Sequence, residues 1–425
     1  MLRDQETIAI RFRCMEVADT EEKVVSRLLS DPAKRKHYIE AADFFDSLGD
    51  TVTANSFHDG VIPKDLVAKY DLDPYGSIDA ASSADCTRIF WSAAHSEKMV
   101  PPFNTDEGRN TIFTRTEKSC PPEFVDILSD GSFVFNGTDK LFVDKENRRI
   151  IDHSDVNSYL SHRIAGPADS SALRLSGLTV LLAARNAKNF YHWHFDILPV
   201  LGMLESCGYS LSDIDNIVLP VPPTRFQQDM LEQLGIKHSQ IQSFDNNYQH
   251  VVCDQLVLPR IHNSMGLRQP RKSIDWLRMK ILQKISVSST PSRKIAIMRV
   301  QRGFNNQSEV ETALEQAGFE TVYPEKLSYL KQVELFANAS HIVSPHGAAL
   351  TLLAFCRPGT VVHEMYGEHV HPCFWSLSSA LGLSYYNYNC SQISSEEITN
   401  GGRGLAERLQ KTIHVPGTVL EQIVS

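Results

Sequence analysis

The strongest constraint on the fold is a regular alternation of strand-like and helix-like runs between residues 294 and 389. Each strand-like run is apolar and short, and a brief turn connects it to an amphipathic run with helical spacing. Strands that alternate with helices in this way pair in parallel, because a parallel neighbour requires a crossover connection. The pattern therefore predicts an α/β fold with a doubly wound parallel sheet. The predicted strands cover 294–299, 319–324, 341–345, 360–365 and 384–389, and the predicted helices cover 308–318, 327–339, 346–356 and 372–382.

A second stretch of the same kind begins near residue 175, and the segment 286–292 (SVSSTPS) that follows it is typical of a linker. Two α/β halves joined there would enclose a cleft at the carboxyl ends of their strands, where open sheets bind ligands. We expect four regions. The first is an N-terminal α+β extension at 1–165, expected on the acceptor side. It is followed by a Rossmann-like acceptor domain at 166–288, a second Rossmann-like domain at 289–400, expected to bind the donor ligand, and a C-terminal helical segment at 401–425.

Composition excludes several classes of protein. The net charge is −9 and no long run of Lys and Arg occurs, which argues against a nucleic-acid partner. No apolar run approaches the ~20 residues of a membrane helix, so we expect no integral membrane segment. The eight cysteines are scattered without a CxxC pair, and the first residues lack the apolar core of a secretion signal. These features favour the cytoplasm.

The segment NFYHWHFDILP, at 189–199, contains His192, His194 and Asp196 at alternate positions. Alternating histidines followed by an aspartate resemble the ligands of a metal-dependent hydrolase, although Ile197 stands where a further histidine ligand is expected. In a helix, His192 and Asp196 share one face and His194 points away from it. The pair then suits a general base that removes a proton from a hydroxyl group. The alternative is that the histidines are hydrogen-bonded members of an aromatic core.

Three further segments contain groups suited to a nucleotide. His346, Gly347, Ala348 and Ala349 open a predicted helix directly after a buried strand, and a helix start binds phosphate well. The guanidinium groups of Arg299 and Arg302, just beyond another strand, can clamp phosphate oxygens. Glu364 ends a core strand, where a carboxylate can accept hydrogen bonds from a ribose diol. Each segment also has a purely structural interpretation. The helix start would be a tightly packed strand–turn–helix, the two arginines would be solvated surface residues, and the carboxylate would simply lie at the rim of the sheet.

Taken in order, these segments resemble glycosyltransferase family 61, over about residues 175–390. The resemblance rests on NFYHWHFDILP, on the run from RKIAIMRVQR to SPHGAALTLLAF, and on PGTVVHEMYG. It implies a GT-B fold and inverting transfer of a sugar from a nucleotide-sugar donor, with UDP as the expected nucleotide. The expected acceptor is a glycan hydroxyl in polysaccharide biosynthesis. No cofactor and no essential metal ion are implied.

Carried over by position, the resemblance gives each candidate residue a role. Arg299, Arg302 and the helix start at 346–349 would hold the diphosphate, Glu364 would contact the ribose, and Asp196 or His192 would be the base. The chain departs from the family pattern at Thr351-Leu352 and at Asn306-Gln307. Two other hypotheses stay open: a metal-dependent hydrolase that uses His192, His194 and Asp196, and a nucleotide-sugar-binding protein without catalysis.

Overall fold

The computed structural model of the protein describes residues 24, 41, 43–45, 77–103, 113, 116–120, 122–135, 140–146, 148–150, 153, 172–183, 187–219, 222–243, 249–260, 271–300, 303–367, 370–390 and 413–425. The strands in these ranges are β1 (Ser77–Ile78), β2 (Cys86–Ser92), β3 (His95–Lys98), β4 (Glu117–Cys120), β5 (Glu123–Phe135), β6 (Lys140–Val143), β7 (Arg149–Ile150), β8 (Leu173–Leu181), β9 (Asn216–Leu219), β10 (Ile241–Ser243), β11 (Gln249–Arg260), β12 (Arg293–Ile297), β13 (Glu320–Val322), β14 (Ala339–Pro345), β15 (Val361–Tyr366) and β16 (Ser384–Asn389).

The α-helices in the same ranges are α1 (Phe190–His192), α2 (Pro199–Ser206), α3 (Arg225–Gln233), α4 (Arg271–Leu282), α5 (Gln307–Gln316), α6 (Tyr329–Ala337), α7 (Cys373–Leu381) and α8 (Gly417–Val424). A π-helical segment, Trp193–Ile197, lies between α1 and α2. The 3₁₀ segments are Ala80–Ser82, Leu211–Asp213, His238–Gln240, Pro324–Lys326 and Ala348–Phe355.

The chain forms two compact units. The first is built from Met1–Thr87, Asp126–Val180 and Phe244–Leu258, and the second from Arg88–Val125, Leu181–Ser243 and Pro259–Ser425. In the first unit, β6 pairs antiparallel with both β5 and β7, while β8 and β11 pair in parallel. The sequence also predicts helix at residues 20–48, and most of that range lies outside the described residues. The predicted domain boundaries stay predictions.

The second unit contains the α/β region that the sequence predicts. Its five-stranded sheet has the order β13-β12-β14-β15-β16, and every neighbouring pair is parallel. The five predicted strands are confirmed, with ends that differ from the prediction by at most two residues. The chain winds outward from β12 to β13 and then returns to β14 on the other side of β12. The winding direction therefore reverses between β12 and β14, and ligands bind at such a switch point in open α/β sheets.

Helix α5 shows how local chemistry sets the ends of an element. The sequence predicts that this helix begins at residue 308, but it begins one residue earlier, at Gln307, after Asn306 at the capping position, whose side chain makes no capping hydrogen bond. The Asn306 amide instead links the helix start to the carboxylate of Glu309 and to the carbonyl of Val415. The helix ends before Gly318, whose φ of +83° is the left-handed conformation that favours glycine.

The core of the five-stranded sheet consists of apolar residues from β12, β14 and β15 that pack against α5 and α8. Val310 and Leu314 of α5 and Leu420 and Ile423 of α8 belong to this cluster. Their removal from water stabilises the sheet by about 1.5–3 kcal/mol for each large side chain. Within the described ranges, no helix combines the length and the apolar character needed to cross a bilayer.

Candidate active site

The histidine-rich segment folds as an irregular helix. The Asn189 side chain caps its start by accepting a hydrogen bond from the Tyr191 N–H at 2.9 Å. The turn then widens into the π segment, where the Leu198 N–H donates to the Trp193 carbonyl. Pro199 has no N–H with which to continue the ladder, and it opens α2 at a position where proline is tolerated. Single π turns of this kind occur often at functional sites.

His192 and Asp196 lie on the same face of this segment, as the sequence predicts. His192 Nδ1 and Asp196 Oδ2 are 2.5 Å apart, with 32% of the histidine side chain and 17% of the aspartate side chain exposed. With the carboxylate on Nδ1, the second ring nitrogen, Nε2, is the atom that can exchange a proton with a substrate. The arrangement is that of a general base oriented by a carboxylate.

His194 is separate from this pair, and a catalytic role for it stays a prediction. It is 2% exposed, with Nδ1 at 2.6 Å from the Phe190 carbonyl and Nε2 at 3.3 Å from the Tyr329 hydroxyl. Burial lowers the pKa of His194 to about 4, so the ring is neutral at pH 7. Because each ring nitrogen of His194 has a hydrogen-bond partner in the protein, His194 is not arranged to share a metal ion with His192 and Asp196. This geometry weakens the hydrolase hypothesis.

Arg299 and His346 meet at the switch point of the sheet. Arg299 follows β12 and His346 follows β14, and Arg299 Nη1 donates a hydrogen bond of 3.2 Å to the His346 carbonyl. A Cβ at Gly347 would lie 2.9 Å from three atoms of the guanidinium group, so glycine is required for this close approach. A permanent positive charge is thereby held at the place where α/β sheets bind anions. Arg302 lies outside the described residues.

The helix after Gly347 differs from the expected α-helix. Residues Ala348–Phe355 form a 3₁₀ helix, which is tighter and usually shorter than this. Ala348 and Ala349 are partly exposed at its start, and their proposed contact with phosphate stays a prediction. The backbone before them is held to the sheet, because the His346 N–H donates to the Met365 carbonyl at 2.8 Å.

Glu364 is fully buried, and both of its oxygens have protein partners. Oε1 lies 2.6 Å from His346 Nδ1, and Oε2 accepts a hydrogen bond of 2.6 Å from the Tyr385 hydroxyl. Tyr366 continues the network, with its hydroxyl 2.9 Å from that of Tyr385 and its ring stacked on His346. Burial, with the neighbouring Glu364 carboxylate, raises the pKa of Tyr385 well above its usual value. Glu364 therefore orients His346, while direct contact with a ribose stays a prediction.

A cavity of about 840 Å³ opens beside the switch point. It has the size of a small-molecule site, and it has both apolar and charged walls. Arg299 and Ala349 line it from the sheet side, and Phe190 lines it from the start of the histidine-rich helix. The remaining lining residues are Thr224, Arg225, Phe226, Asp229, Ile297, Met298, Val300, Pro324, Glu325, Lys326, Leu327, Ser328, Tyr329 and Gln332.

The histidine-rich helix and the sheet are connected through Phe374 of α7. The Phe374 ring lies 5.7 Å from that of Tyr191 and 5.5 Å from that of His346, measured between ring centres. Tyr329 adds a second connection through its contact with His194. Sequence reasoning missed Phe374, Tyr329 and Tyr385. The tyrosines of the predicted strand SYYNYN were a usable signal for Tyr385, because a buried tyrosine hydroxyl needs a hydrogen-bond partner.

The glycosyltransferase 61 family model matches residues 190–363, a range that includes His192, Asp196, Arg299 and His346 and ends one residue before Glu364. The match identifies the chain as a glycosyltransferase and supports its membership of glycosyltransferase family 61, which confirms the resemblance that its motifs indicate.

Two solved structures are similar to parts of the chain. One is the bacterial iron-containing dodecameric glycosyltransferase TibC from enterotoxigenic E. coli H10407, at 12% identity and a TM-score of 0.25, covering 59% of this chain and 78% of that chain. The other is the dodecameric iron-containing heptosyltransferase TibC in complex with ADP-D-beta-D-heptose, with the same identity and coverage and a TM-score of 0.24. Structural similarity at these TM-scores supports no conclusion about the fold or function of this chain. No curated protein matches the chain.

Proposed function

We propose that this glycosyltransferase moves a sugar from a nucleotide-sugar donor, with UDP as the expected nucleotide, to a hydroxyl group of a glycan acceptor, with inversion at the anomeric carbon. The observation that carries the proposal is the Arg299 guanidinium, which is held against Gly347 at the switch point of the sheet. A fixed cation at this place suits the diphosphate of the donor and of the leaving group.

The cavity beside Arg299 is the proposed site of the donor nucleotide. Arg299 and the helix start at Ala349 would face the diphosphate, and the apolar wall formed by Phe190 and Phe226 would face the base. These two rings lie 5.2 Å apart in an edge-to-face arrangement, which leaves an aromatic surface for a planar ligand. Arg225, at the start of α3, and Lys326 add two further cationic side chains to the lining.

His192 is the proposed general base, and Asp196 is the residue that orients it. The acceptor hydroxyl gives its proton to His192 Nε2 while its oxygen attacks the anomeric carbon from the face opposite the diphosphate. The new glycosidic bond forms as the bond between the sugar and the diphosphate oxygen breaks, and the nucleoside diphosphate takes the electron pair. Asp196 stabilises the imidazolium, and Arg299 stabilises the leaving group, so no metal ion is needed in this scheme.

Three broader parts of the proposal rest on the family. They are a GT-B arrangement with one Rossmann-like domain for the acceptor and one for the donor, a role in polysaccharide biosynthesis, and a cytoplasmic location. The parallel five-stranded sheet of the second unit supports the donor-side Rossmann-like domain.

The test combines donor binding with turnover. The wild-type chain is mixed with UDP-, GDP- and CMP-sugars, and nucleotide binding is measured by calorimetry while release of the free nucleotide reports transfer. In His192→Gln and Asp196→Asn, we expect turnover to fall by about 100-fold or more, as is typical for loss of a general base, with donor affinity nearly unchanged. His238→Gln, which changes an exposed histidine outside the site, is the control.

Two outcomes would overturn the proposal. If both variants turn over at the wild-type rate, His192 and Asp196 are not the catalytic pair. If no nucleotide binds and activity requires a zinc ion that EDTA removes, the metal-dependent hydrolase hypothesis is correct instead.

A further inference from the structure

A second cluster of reactive side chains lies in the β-hairpin formed by β3 and β4. The strands pair antiparallel, with His95 opposite Cys120 and Glu97 opposite Lys118. Residues directly opposite each other, and residues two apart on one strand, project from the same face. A histidine, a carboxylate and a thiol therefore converge, and their potential ligand atoms all lie within 4.8 Å of one another.

The distance between two of the candidate ligand atoms is compatible with a metal site. His95 Nε2 and Glu97 Oε1 are 3.3 Å apart, which is long for a charge-assisted hydrogen bond of about 2.7–2.9 Å. Bonds of about 2.0–2.1 Å from a tetrahedral zinc ion to nitrogen and oxygen place these two ligands about 3.3–3.4 Å apart. The separation of His95 Nε2 and Glu97 Oε1 is therefore close to the edge of a zinc tetrahedron.

The surroundings orient the ligands as they do in metal sites. His95 Nδ1 lies 3.0 Å from the Ala93 carbonyl, so the proton belongs on Nδ1 and the lone pair on Nε2. Lys118, which is almost fully buried, donates to the other oxygen of Glu97 at 2.8 Å and to the Ser376 hydroxyl at 3.2 Å. These bonds hold Glu97 Oε1 towards His95. His95 remains 45% exposed, which gives an ion access from solvent.

We propose that His95, Glu97 and Cys120 form a zinc-binding site that clips β3 to β4. Nitrogen, oxygen and thiolate donors in a three-ligand set suit zinc, and water would complete the tetrahedron. An isolated two-stranded hairpin is marginal in water, so an ion that joins its strands adds stability. The site is structural and is independent of the proposed glycosyl transfer, in which no metal ion takes part.

The experiment uses the reduced, metal-stripped full-length chain and Co²⁺ as a spectroscopic probe. We expect one equivalent of Co²⁺ to bind with a thiolate-to-cobalt charge-transfer band and the visible bands of tetrahedral cobalt, and Zn²⁺ to displace it. Cys120→Ser should lose the charge-transfer band. His95→Ala should weaken binding by more than the about 10- to 100-fold that follows loss of an outer-shell partner. Cys207→Ser, which changes a half-exposed cysteine elsewhere in the second unit, is the matched control and should bind as wild type.

Thermal unfolding gives a second measurement. Zn²⁺ should raise the Tm of the wild type and of Cys207→Ser, and should leave the Tm of His95→Ala unchanged. The proposal is overturned if the wild type gains no Co²⁺ spectrum, if Cys120→Ser keeps the charge-transfer band, or if His95→Ala binds as tightly as the wild type.

Discussion

Gly347 allows a direct test of the donor site, because one added methyl group there displaces one guanidinium group. In Gly347→Ala, the new Cβ would lie 2.9 Å from three atoms of Arg299, which is 0.5 Å inside ordinary contact at 3.4 Å. The backbone conformation at 347 is extended and accepts alanine without strain. Because His346 is held by its bond to the Met365 carbonyl, the flexible arginine is the group that moves. A shift of 0.5 Å is enough to break the 3.2 Å bond between Arg299 and the His346 carbonyl.

The expected effect is on ligand affinity and not on folding. A hydrogen bond to a charged group contributes about 1.5–3 kcal/mol, so displacement of the guanidinium from the diphosphate should weaken binding about 10- to 150-fold. The free energy of unfolding should change by no more than about 1 kcal/mol, because the hydrogen bond from Arg299 to the His346 carbonyl is partly exposed. Calorimetry with the nucleoside diphosphate that binds the wild type measures the first quantity, and urea denaturation measures the second.

Two variants serve as references for this test. Gly417→Ala adds the same methyl group where no atom lies within 4 Å, and it should bind the nucleotide as the wild type does. Arg299→Ala removes the cation itself and should bind at least as weakly as Gly347→Ala. Wild-type affinity in Gly347→Ala together with a loss in Arg299→Ala would refute the geometric reasoning, and wild-type affinity in both would refute the diphosphate assignment.

Two further predictions concern stability. Burial lowers the pKa of His194 in the folded chain to about 4. Between about pH 6.5 and pH 4, the unfolded chain therefore binds a proton at His194 that the folded chain does not. The free energy of unfolding is retained above pH 6.5 and falls by up to about 3 kcal/mol as the pH is lowered through this window. Urea denaturation at several pH values should show this slope reduced in His194→Asn, and an unchanged slope would contradict the cause. Tyr385→Phe removes a hydrogen bond to a buried carboxylate and should lower the free energy of unfolding by about 1.5–3 kcal/mol. Tyr386→Phe, on the neighbouring half-buried tyrosine, should change the free energy much less, and equal losses in thermal melts would argue against the network.

The sheet of the second unit was predictable because its signal is local. Apolar runs such as KIAIM and HIVSP are buried on both faces, as strands of a parallel sheet are, and the intervening helices carry apolar residues with helical spacing. The shared face of His192 and Asp196 was predictable for the same reason, because a helix brings residues four apart together. Both predictions depend only on residues near each other in the chain.

The state of the polar groups was not predictable, because it depends on distant residues. Glu364 has the same appearance in sequence whether it meets a ribose or, as here, His346 and Tyr385 on neighbouring segments. The partner of His194 was not predictable either, because Tyr329, whose hydroxyl lies 3.3 Å from His194 Nε2, is 135 positions away in the sequence. The β3–β4 hairpin was not predicted from the sequence. Its strands contain many polar residues, and the paired residues are about twenty positions apart in the chain.

The π segment makes chain length, as well as side-chain identity, a determinant of the geometry of the proposed site. A π turn holds one residue more than the α-helical turn that would replace it, and here that extra residue lies within Trp193–Ile197, the segment that contains Asp196 of the proposed catalytic pair. Removal of a single residue from this turn would rotate Phe190 and His192 relative to α2 by about one helical position, or roughly 100°. The register of the peptide backbone thus sets the direction in which the proposed base faces, and a one-residue deletion would change that direction even with His192 and Asp196 both retained.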